Sequence, residues 1–266
     1  MRLREQQMEN NVLVSVVMPV FNDEDFIKDT ISSVLNQTHT NLELIIVEDC
    51  SKDNSLKLIK NFTDKRIRLF QNKTNKGAAY SRNFAIKQAK GDYVAFLDGD
   101  DLWEKNKLER QLEFMTSHNF VFSYTDYFVI DNDGNLTKTY YTGPKKITHH
   151  GFFRMNYVGC LTAMFKRSVF PDLKIPNGIV RRNDYALWLK LSEKCNCYLL
   201  KEKLAKYRQR KSGSITTSNK KNLFFYHWKL FNSLYNYGKI RCRFIFYRGV
   251  FYSLTKKIFY KKRIKD

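Results

Sequence analysis

The strongest constraint on the fold is a repeated alternation of short apolar runs with segments of helical periodicity. The first run, Val12 to Phe21, is continuous and rich in β-branched residues, which is the pattern of a strand covered on both faces. Apolar residues at helical spacing follow it from Phe26 to Leu35. The alternation continues with predicted strands at Leu42 to Val47, Ile67 to Phe70 and Tyr93 to Leu97, and with helices from Ser55 to about Phe62 and from Ala78 to Ala89. This order predicts an α/β fold with a mostly parallel, doubly wound sheet.

The second half of the chain has a mixed pattern with more hairpins. A helix is predicted from Lys105 to about His118, and a helix with an apolar body begins near Asn183. Strands are predicted at Phe120 to Tyr124, Tyr127 to Ile130, Leu136 to Tyr141 after an Asp133-Gly134 turn, Gly159 to Phe165, Cys195 to Leu200 and Leu204 to Tyr207.

Acidic and amide side chains are concentrated where the predicted parallel strands end, the edge at which such sheets bind ligands. The loops there contain Asn22-Asp23, Glu48-Asp49, Asn75-Lys76-Gly77 and Asp98-Gly99-Asp100-Asp101. Asp98, Asp100 and Asp101 would repel one another unless a cation lay among them, and their hard oxygen ligands suit a divalent metal. The alternative is an ordinary solvated turn. No glycine-rich phosphate loop occurs in this half, so the diphosphate of a bound nucleotide would be neutralised by metal.

Positive charge is concentrated in the C-terminal quarter. From Lys201 onward there are 19 Lys and Arg residues against two acidic residues, whereas the first 200 residues contain 28 and 24. Such a segment favours an anionic partner, either a phospholipid surface or a nucleic acid, or is a solvated tail. No apolar run reaches the roughly 18 to 20 residues of a membrane span, and Met1 to Asn11 has no signal-peptide pattern. We therefore expect a cytoplasmic protein.

The basic segment has a helical pattern of its own. A helix is predicted from Asn219 to Tyr237, and beyond it an apolar stripe recurs every three or four residues among many Lys and Arg residues. The stripe comprises Ile240, Phe244, Tyr247, Phe251, Leu254 and Ile258. A basic helix with an aromatic face is typical of an anionic membrane interface. The alternative is that the stripe packs on the rest of the chain or on a second subunit.

Five segments together resemble the family 2 inverting glycosyltransferases of the GT-A, nucleotide-diphosphosugar-binding fold. These segments are Ser15 to Asn22, Val47 to Ser55, Asn75 to Asn83, Leu97 to Trp103 and Asn183 to Leu191. They occur in the family's order and spacing, and the resemblance spans about Val12 to Ser214. It implies a catalytic domain at 1–218, with a nucleotide-sugar half at 12–103 and an acceptor half at 104–218, followed by a basic aromatic helical tail at 219–266.

The resemblance also implies roles for individual residues. Asp184 would be the catalytic base, and Asp98 and Asp100 would hold Mn²⁺ or Mg²⁺. Nucleotide contacts would come from Pro19, Val20, Phe21, Asn22, Asp49, Lys76, Arg82, Asp98 and Gly99, with Asp49 and Arg82 near the nucleobase. From the residues alone, Asp184 could instead be a helix N-cap and Arg82 a solvated surface charge. The sequence departs from the family at Glu48, where Asp is more common, and at Asn183, where an acid usually precedes the base.

The implied chemistry needs few groups. A divalent cation stabilises the departing nucleoside diphosphate, and one carboxylate deprotonates the attacking hydroxyl. Because no separate nucleophile is implied, the anomeric configuration would invert. The processive Gln-x-x-Arg-Trp motif is missing, which favours transfer of one sugar.

We therefore expect a metal-dependent, non-processive hexosyltransferase of cell-surface polysaccharide or lipopolysaccharide synthesis. UDP is the expected nucleotide, and a saccharide or lipid-linked saccharide at the inner face of the membrane is the expected acceptor. The competing interpretations are a nucleotidyltransferase, which usually has a basic triphosphate loop where Asn22 to Asp25 stand, and a nucleic-acid-binding protein. The near-neutral first 200 residues argue against nucleic acid as a partner.

Overall fold

The computed structural model of the protein describes residues 12–211 and 223–264. The predicted N-terminal pattern at Met1 to Asn11 and the predicted helix start at Asn219 lie outside these residues. The described strands are β1 Val14–Val20, β2 Leu42–Glu48, β3 Ile67–Gln71, β4 Tyr93–Phe96, β5 Leu102–Trp103, β6 Phe122–Ile130, β7 Leu136–Tyr141, β8 Lys146–Ile147, β9 Met164–Lys166, β10 Cys197–Arg208 and β11 Lys261–Arg263. The described α-helices are α1 Ile27–Leu35, α2 Ser55–Lys60, α3 Ala78–Gln88, α4 Lys107–Ser117, α5 His149–Arg154, α6 Asn183–Ser192, α7 Leu223–Tyr235 and α8 Lys239–Phe259.

The first half of the chain forms the predicted parallel sheet. Strand β1 lies between β2 and β4 and is parallel to both, and β3 continues the sheet beyond β2. All seven residues of β1 are buried, as expected for a strand covered on both faces. The order places the carboxyl ends of β1 and β4 side by side, and their connections run in opposite directions, which opens a crevice there.

Two apolar layers cover the sheet because successive strand residues point to opposite faces. On one face, Val17 and Phe96 pack with Ala85 of α3 and Trp188 of α6. On the other face, Val16 packs with residues of α1 and α4 that recur at helical spacing. The confirmed α/β architecture therefore follows from the alternation read in the sequence.

In the second half of the chain, two pairs of runs predicted as separate strands each form one longer strand. The runs at Phe120 to Tyr124 and Tyr127 to Ile130 belong to one strand, β6, and the two runs after Cys195 belong to β10, which pairs with β6 in parallel across two register shifts. The predicted strand from Gly159 to Phe165 is wrong over most of its length. Thr162 returns hydrogen bonds from its backbone N–H and hydroxyl to the Gly159 carbonyl, so the chain turns in a 3₁₀ helix at Cys160–Thr162 before β9.

Side-chain hydrogen bonds connect the loops that follow β1 and β2. Asn22 adopts φ 55° and its Oδ1 accepts from the Lys52 backbone, while α1 begins only at Ile27. Ser55 is the first residue of α2, and its hydroxyl accepts from the Asp23 backbone. Both side chains therefore tie the loop after β1 to the loop after β2, which fixes one side of the crevice.

The C-terminal helices and β11 pack on elements of residues 104–218. Helix α8 lies against α5 and α7, and β11 pairs antiparallel with β7. Among the described residues, no helix has both the length and the apolar character that crossing a membrane requires.

Candidate active site

A cleft of about 700 Å³ opens at the carboxyl ends of β1, β2 and β4. Its walls come from both halves of the chain, because the segment at 156–161 and the start of α6 face the loops that end the parallel strands. The charged and amide side chains on its walls are Asp23, Asp49, Asn75, Arg82, Asp98, Asp100, Asp101, Asn156, Arg181, Arg182, Asn183, Asp184 and Arg210.

Asp49 organises the loop that forms the outer edge of the cleft. It is buried, and its carboxylate accepts from the Asn72 amide at 2.7 Å and from the backbone N–H groups of Lys76 and Gly77 at 2.8 and 2.7 Å. Gly77 has φ 85°, a conformation that a residue with a side chain rarely adopts. These bonds hold the start of α3 against the end of β2.

Arg82 connects the two walls of the cleft. It is buried one turn into α3, and its guanidinium donates to the Asp98 carboxylate after β4 and to the Asn183 side-chain oxygen at the start of α6. The structure therefore places Arg82 between Asp98, in the loop after β4, and α6, the helix that contains the predicted base. It is not the solvated surface charge that the residue type alone allows.

Asp184 is the second residue of α6 and lines the cleft. The N-cap position is Arg182, which has φ 59° and makes no side-chain capping bond. Such a backbone conformation is uncommon for arginine and is concentrated at functional sites. The Asn156 amide donates to the Asp184 carboxylate at 3.3 Å. Burial raises the pKa of Asp184, and the positive charge of Arg82 opposes that rise.

A second arginine, Arg210, neutralises part of the acidic cluster. Its guanidinium donates to Asp23 at 2.8 Å and lies 3.4 Å from Asp100. Burial and then the charge of Asp100 raise the pKa of Asp23 to about 7, although Arg210 acts in the opposite direction. Asp101 has a different partner. Its Oδ1 accepts from the Arg208 backbone N–H at 2.9 Å, which joins the loop after β4 to the end of β10.

The acids after β4 fit a divalent cation bound together with phosphate. Asp98 and Asp100 both line the cleft, and burial followed by the charge of Asp98 raises the pKa of Asp100, while the charge of Arg210 acts in the opposite direction. No preformed cluster of three or more metal-ligating side chains occurs in the described part of the chain. Mg²⁺ and Mn²⁺ accept one or two protein carboxylates and complete their coordination with phosphate oxygens and water, so Asp98 and Asp100 suffice.

The cleft brings together most, but not all, of the residues singled out in the sequence. Pro19, Val20, Phe21, Asp49, Arg82, Asp98, Gly99, Asp100 and Asp184 line it, whereas Asn22 and Lys76 are not among its lining residues. Their backbones support it, since the Asn22 carbonyl accepts from Arg210 and the Lys76 N–H donates to Asp49.

Among the cleft residues that were not predicted as site residues, Asp23, Asn156 and Arg210 make polar contacts with other side chains of the cleft. Asp23 lies in an acidic loop at a strand end, and Arg210 follows the carboxyl end of β10, so position in the predicted sheet was the available signal. Asn156 follows the short helix α5 and not a strand, so position in the predicted sheet did not identify it, although the segment from Asn156 to Thr162 resembles the acceptor-side segment of the family.

Comparisons with known proteins show which proteins this chain is similar to. Residues 15–173 match the family described as "Glycosyl transferase family 2". The chain is 42% identical over 199 residues to the putative teichuronic acid biosynthesis glycosyltransferase TuaG of Bacillus subtilis (strain 168), covering 74% of this chain and 79% of that protein. It is 38% identical over 211 residues to the UDP-Glc:alpha-D-GlcNAc-diphosphoundecaprenol beta-1,3-glucosyltransferase WfgD of Escherichia coli, covering 79% and 82%. The crystal structure of S. aureus TarS 1-349 in complex with UDP has the same fold, with a TM-score of 0.66 at 19% identity over 89% of this chain and 70% of that chain.

Proposed function

The chain belongs to glycosyl transferase family 2 and is a glycosyltransferase, and on this premise we propose that it moves one sugar from a UDP-sugar to a hydroxyl of a lipid-linked saccharide, with inversion at the anomeric carbon. The observation that carries the proposal is that Asp184 lines the same cleft as Asp98 and Asp100. A base on one wall and metal-ligating acids on the other are the two groups that such a displacement needs.

The donor would lie against the loops that end β1, β2 and β4. Asp49 and the segment from Pro19 to Phe21 would flank the nucleobase and ribose, and Asp98 and Asp100 would hold Mn²⁺ or Mg²⁺ at the diphosphate. The bound cation neutralises the charge that develops on the leaving diphosphate. UDP is favoured because the name of the E. coli relative includes UDP-Glc and because TarS was crystallised with UDP.

Asp184 would accept the proton of the attacking hydroxyl. Arg82 lies beside it and favours its carboxylate form, while the amide of Asn156 orients one of its oxygens. No second carboxylate is needed as a nucleophile, because the hydroxyl attacks the anomeric carbon from the side opposite the departing diphosphate. A single displacement of this kind inverts the configuration.

The acceptor is proposed from the relatives. WfgD is named for transfer to a saccharide diphosphate of undecaprenol, and TuaG for teichuronic acid biosynthesis. We place this enzyme in cell-surface polysaccharide or lipopolysaccharide assembly, peripherally at the inner face of the cell membrane. The family match removes the nucleotidyltransferase interpretation.

The test is calorimetric titration with UDP-glucose in the presence of Mn²⁺ or EDTA. For the wild type we expect Mn²⁺ to tighten binding at least about tenfold, since the metal replaces phosphate–carboxylate repulsion by attraction. Asp100→Ala should lose this difference. The matched control is Asp133→Ala, which removes an exposed acid from a hairpin turn outside the cleft. Equal affinity with Mn²⁺ and with EDTA in the wild type would contradict the proposed role of the metal.

A further inference from the structure

Helix α8 has an aromatic face that the described part of the protein leaves uncovered. We define this aromatic face as Ile240, Phe244, Tyr247 and Phe251, whose exposed fractions are 75%, 76%, 67% and 64%. Their spacing of four, three and four residues puts them on one side of the helix. Large apolar side chains grouped in this way on a soluble surface mark an interaction site.

The aromatic face is directed outward because the opposite face of α8 is packed. Cys242 and Ile245 are buried in the core cluster. Gly249 lies so close to α5 that a Cβ atom there would be 3.4 Å from the Arg154 carbonyl oxygen, and the Arg248 guanidinium donates to the Phe153 carbonyl at 3.3 Å. The contacts with α5 therefore fix which side of α8 faces solvent.

The charge around the aromatic face has a single sign. Residues 223–264 contain ten Lys and Arg residues and no Asp or Glu, and Arg241, Arg243 and Arg248 are exposed along α8. We propose that the aromatic face of α8 binds the surface of an anionic phospholipid bilayer, with the rings below the headgroups and the arginines among the phosphates. Each Lys or Arg near such a surface adds attraction, and the buried rings add a hydrophobic contribution. A second copy pairing through the same face would bring like charges together, which disfavours self-association.

The same C-terminal elements contact the acceptor wall of the cleft. The ring of Tyr260, which follows α8, lies edge-on to Tyr157 with centroids 5.4 Å apart, and Tyr157 adjoins Asn156, the partner of Asp184. From α7, His227 lies 3.4 Å from the Arg182 guanidinium at the start of α6. Bilayer contact would therefore be made next to the wall at which a lipid-linked hydroxyl must enter. This last step rests on the proposed function, whereas lipid binding itself does not.

The experiment is co-sedimentation of the full chain with sucrose-loaded vesicles, either of phosphatidylcholine alone or with 30% phosphatidylglycerol, at about 0.15 M salt. The wild type should sediment with the anionic vesicles and not with the neutral ones. Phe244→Ser/Phe251→Ser should bind them at least about tenfold more weakly, and Arg241→Glu/Arg243→Glu at least about tenfold more weakly, since each basic residue contributes roughly fivefold. Leu136→Ser, which changes an exposed apolar residue on β7, is the control and should bind like the wild type.

Three further measurements, of folding, of nucleotide binding and of oligomeric state, accompany the sedimentation experiment. Circular dichroism and UDP titration with Mn²⁺ should be unchanged in all variants, because the substituted side chains are exposed and lie outside the cleft. Light scattering reports the oligomeric state. Wild-type binding that survives loss of both phenylalanines, no wild-type binding to anionic vesicles, or a dimer that the phenylalanine variant dissociates would each overturn the proposal. Vesicle binding needs neither donor nor acceptor, so its failure is distinguishable from failure of the proposed transfer.

Discussion

At the residue scale, Arg82 is the side chain that connects the two walls of the cleft. It is buried and donates to Asp98 on the donor side and to Asn183 on the side of the base. Residue 183 is an uncharged asparagine. Arg82 therefore makes one ion pair, with Asp98, and one hydrogen bond to a neutral acceptor, the Asn183 side chain of α6. We therefore propose that Arg82 is a positioning residue for Asp184.

We predict that Arg82→Met changes the pH dependence of transfer as well as its rate. Burial already raises the pKa of Asp184, and Arg82 opposes this, so removing the cation should raise that pKa further. A general base works only when deprotonated, and the acidic limb of the kcat profile should therefore move to higher pH. The measurement is kcat for transfer between pH 5 and 9.

Arg82→Lys is the matched control because it keeps a cation but cannot form the same pair of hydrogen bonds. The acidic limb of the kcat profile of Arg82→Lys should remain near its wild-type pH. Its kcat should fall by roughly tenfold or more, as expected when a charged hydrogen-bonded contact is broken. If the role of Arg82 were purely structural, both variants would have a lower melting temperature and the acidic limb of the kcat profile would be unchanged in each. An unchanged limb in Arg82→Met would contradict the positioning role.

The sequence revealed some of these residues and not others for a physical reason. Asp98, Asp100 and Asp49 directly follow apolar strands, so the predicted sheet already brought their backbones to one edge. The pairing of Asp23 with Arg210 joins positions 187 residues apart, and no local pattern records it. The position of Arg82 between two walls likewise depends on how α6 docks on the sheet.

At the element scale, the loop between β4 and β5 is shaped by a glycine. A Cβ atom on Gly99 would lie 2.5 Å from Oδ2 of Asp23, and that oxygen also accepts from the Phe21 backbone at 3.2 Å. The loops after β1 and β4 can therefore approach closely only if residue 99 has no side chain. This approach places Asp23, Asp100 and Arg210 together.

We predict that Gly99→Ala destabilises the fold by about 1–3 kcal/mol, the usual effect of forcing an extra methyl group into a packed site. Because Asp23 must move, the variant should also bind UDP with Mn²⁺ more weakly. Thermal unfolding and calorimetry measure the two effects. Gly238→Ala is the control, since a Cβ there meets nothing within 4 Å, and it should be neutral within about 0.5 kcal/mol. Equal stability of the two variants would contradict the prediction, because it would mean that the loop after β4 can accommodate a methyl group at residue 99 beside Asp23.

Element prediction succeeded where periodicity was long and unbroken. Strand β1 and helix α3 were found within two residues, because one is a continuous apolar run and the other starts after a glycine. The strand predicted at Gly159 to Phe165 was wrong because Thr162 bonds back to Gly159, a local bond that competes with sheet pairing. Strand β6 was split in two because Thr125 and Asp126, both buried, interrupt its apolar pattern.

At the scale of the whole molecule, the two halves of the chain would contribute different parts of the proposed reaction. The parallel half supplies the edge at which Asp49, Asp98 and Asp100 meet, and the mixed half supplies Asp184 through α6. The sequence predicted a tail from residue 219, and the described part of that tail packs on the mixed half through α8 and adds β11 to the sheet. The basic segment is thus joined to the half of the chain that contains Asp184, which its composition alone did not reveal.

We propose that Asp184 is the base of a transfer whose donor is held by other residues. The most direct test measures UDP-glucose affinity with Mn²⁺ and single-turnover transfer to a diphosphate-linked GlcNAc lipid for the wild type, for Asp184→Asn, and for Asp172→Asn as an exposed-acid control. We predict that Asp184→Asn keeps donor affinity within about twofold while the rate of transfer falls by roughly 10² to 10⁴, the usual contribution of a general base. Asp172→Asn should match the wild type in both measurements. Transfer by Asp184→Asn at the wild-type rate, or a loss accounted for by weaker donor binding alone, would contradict this proposal.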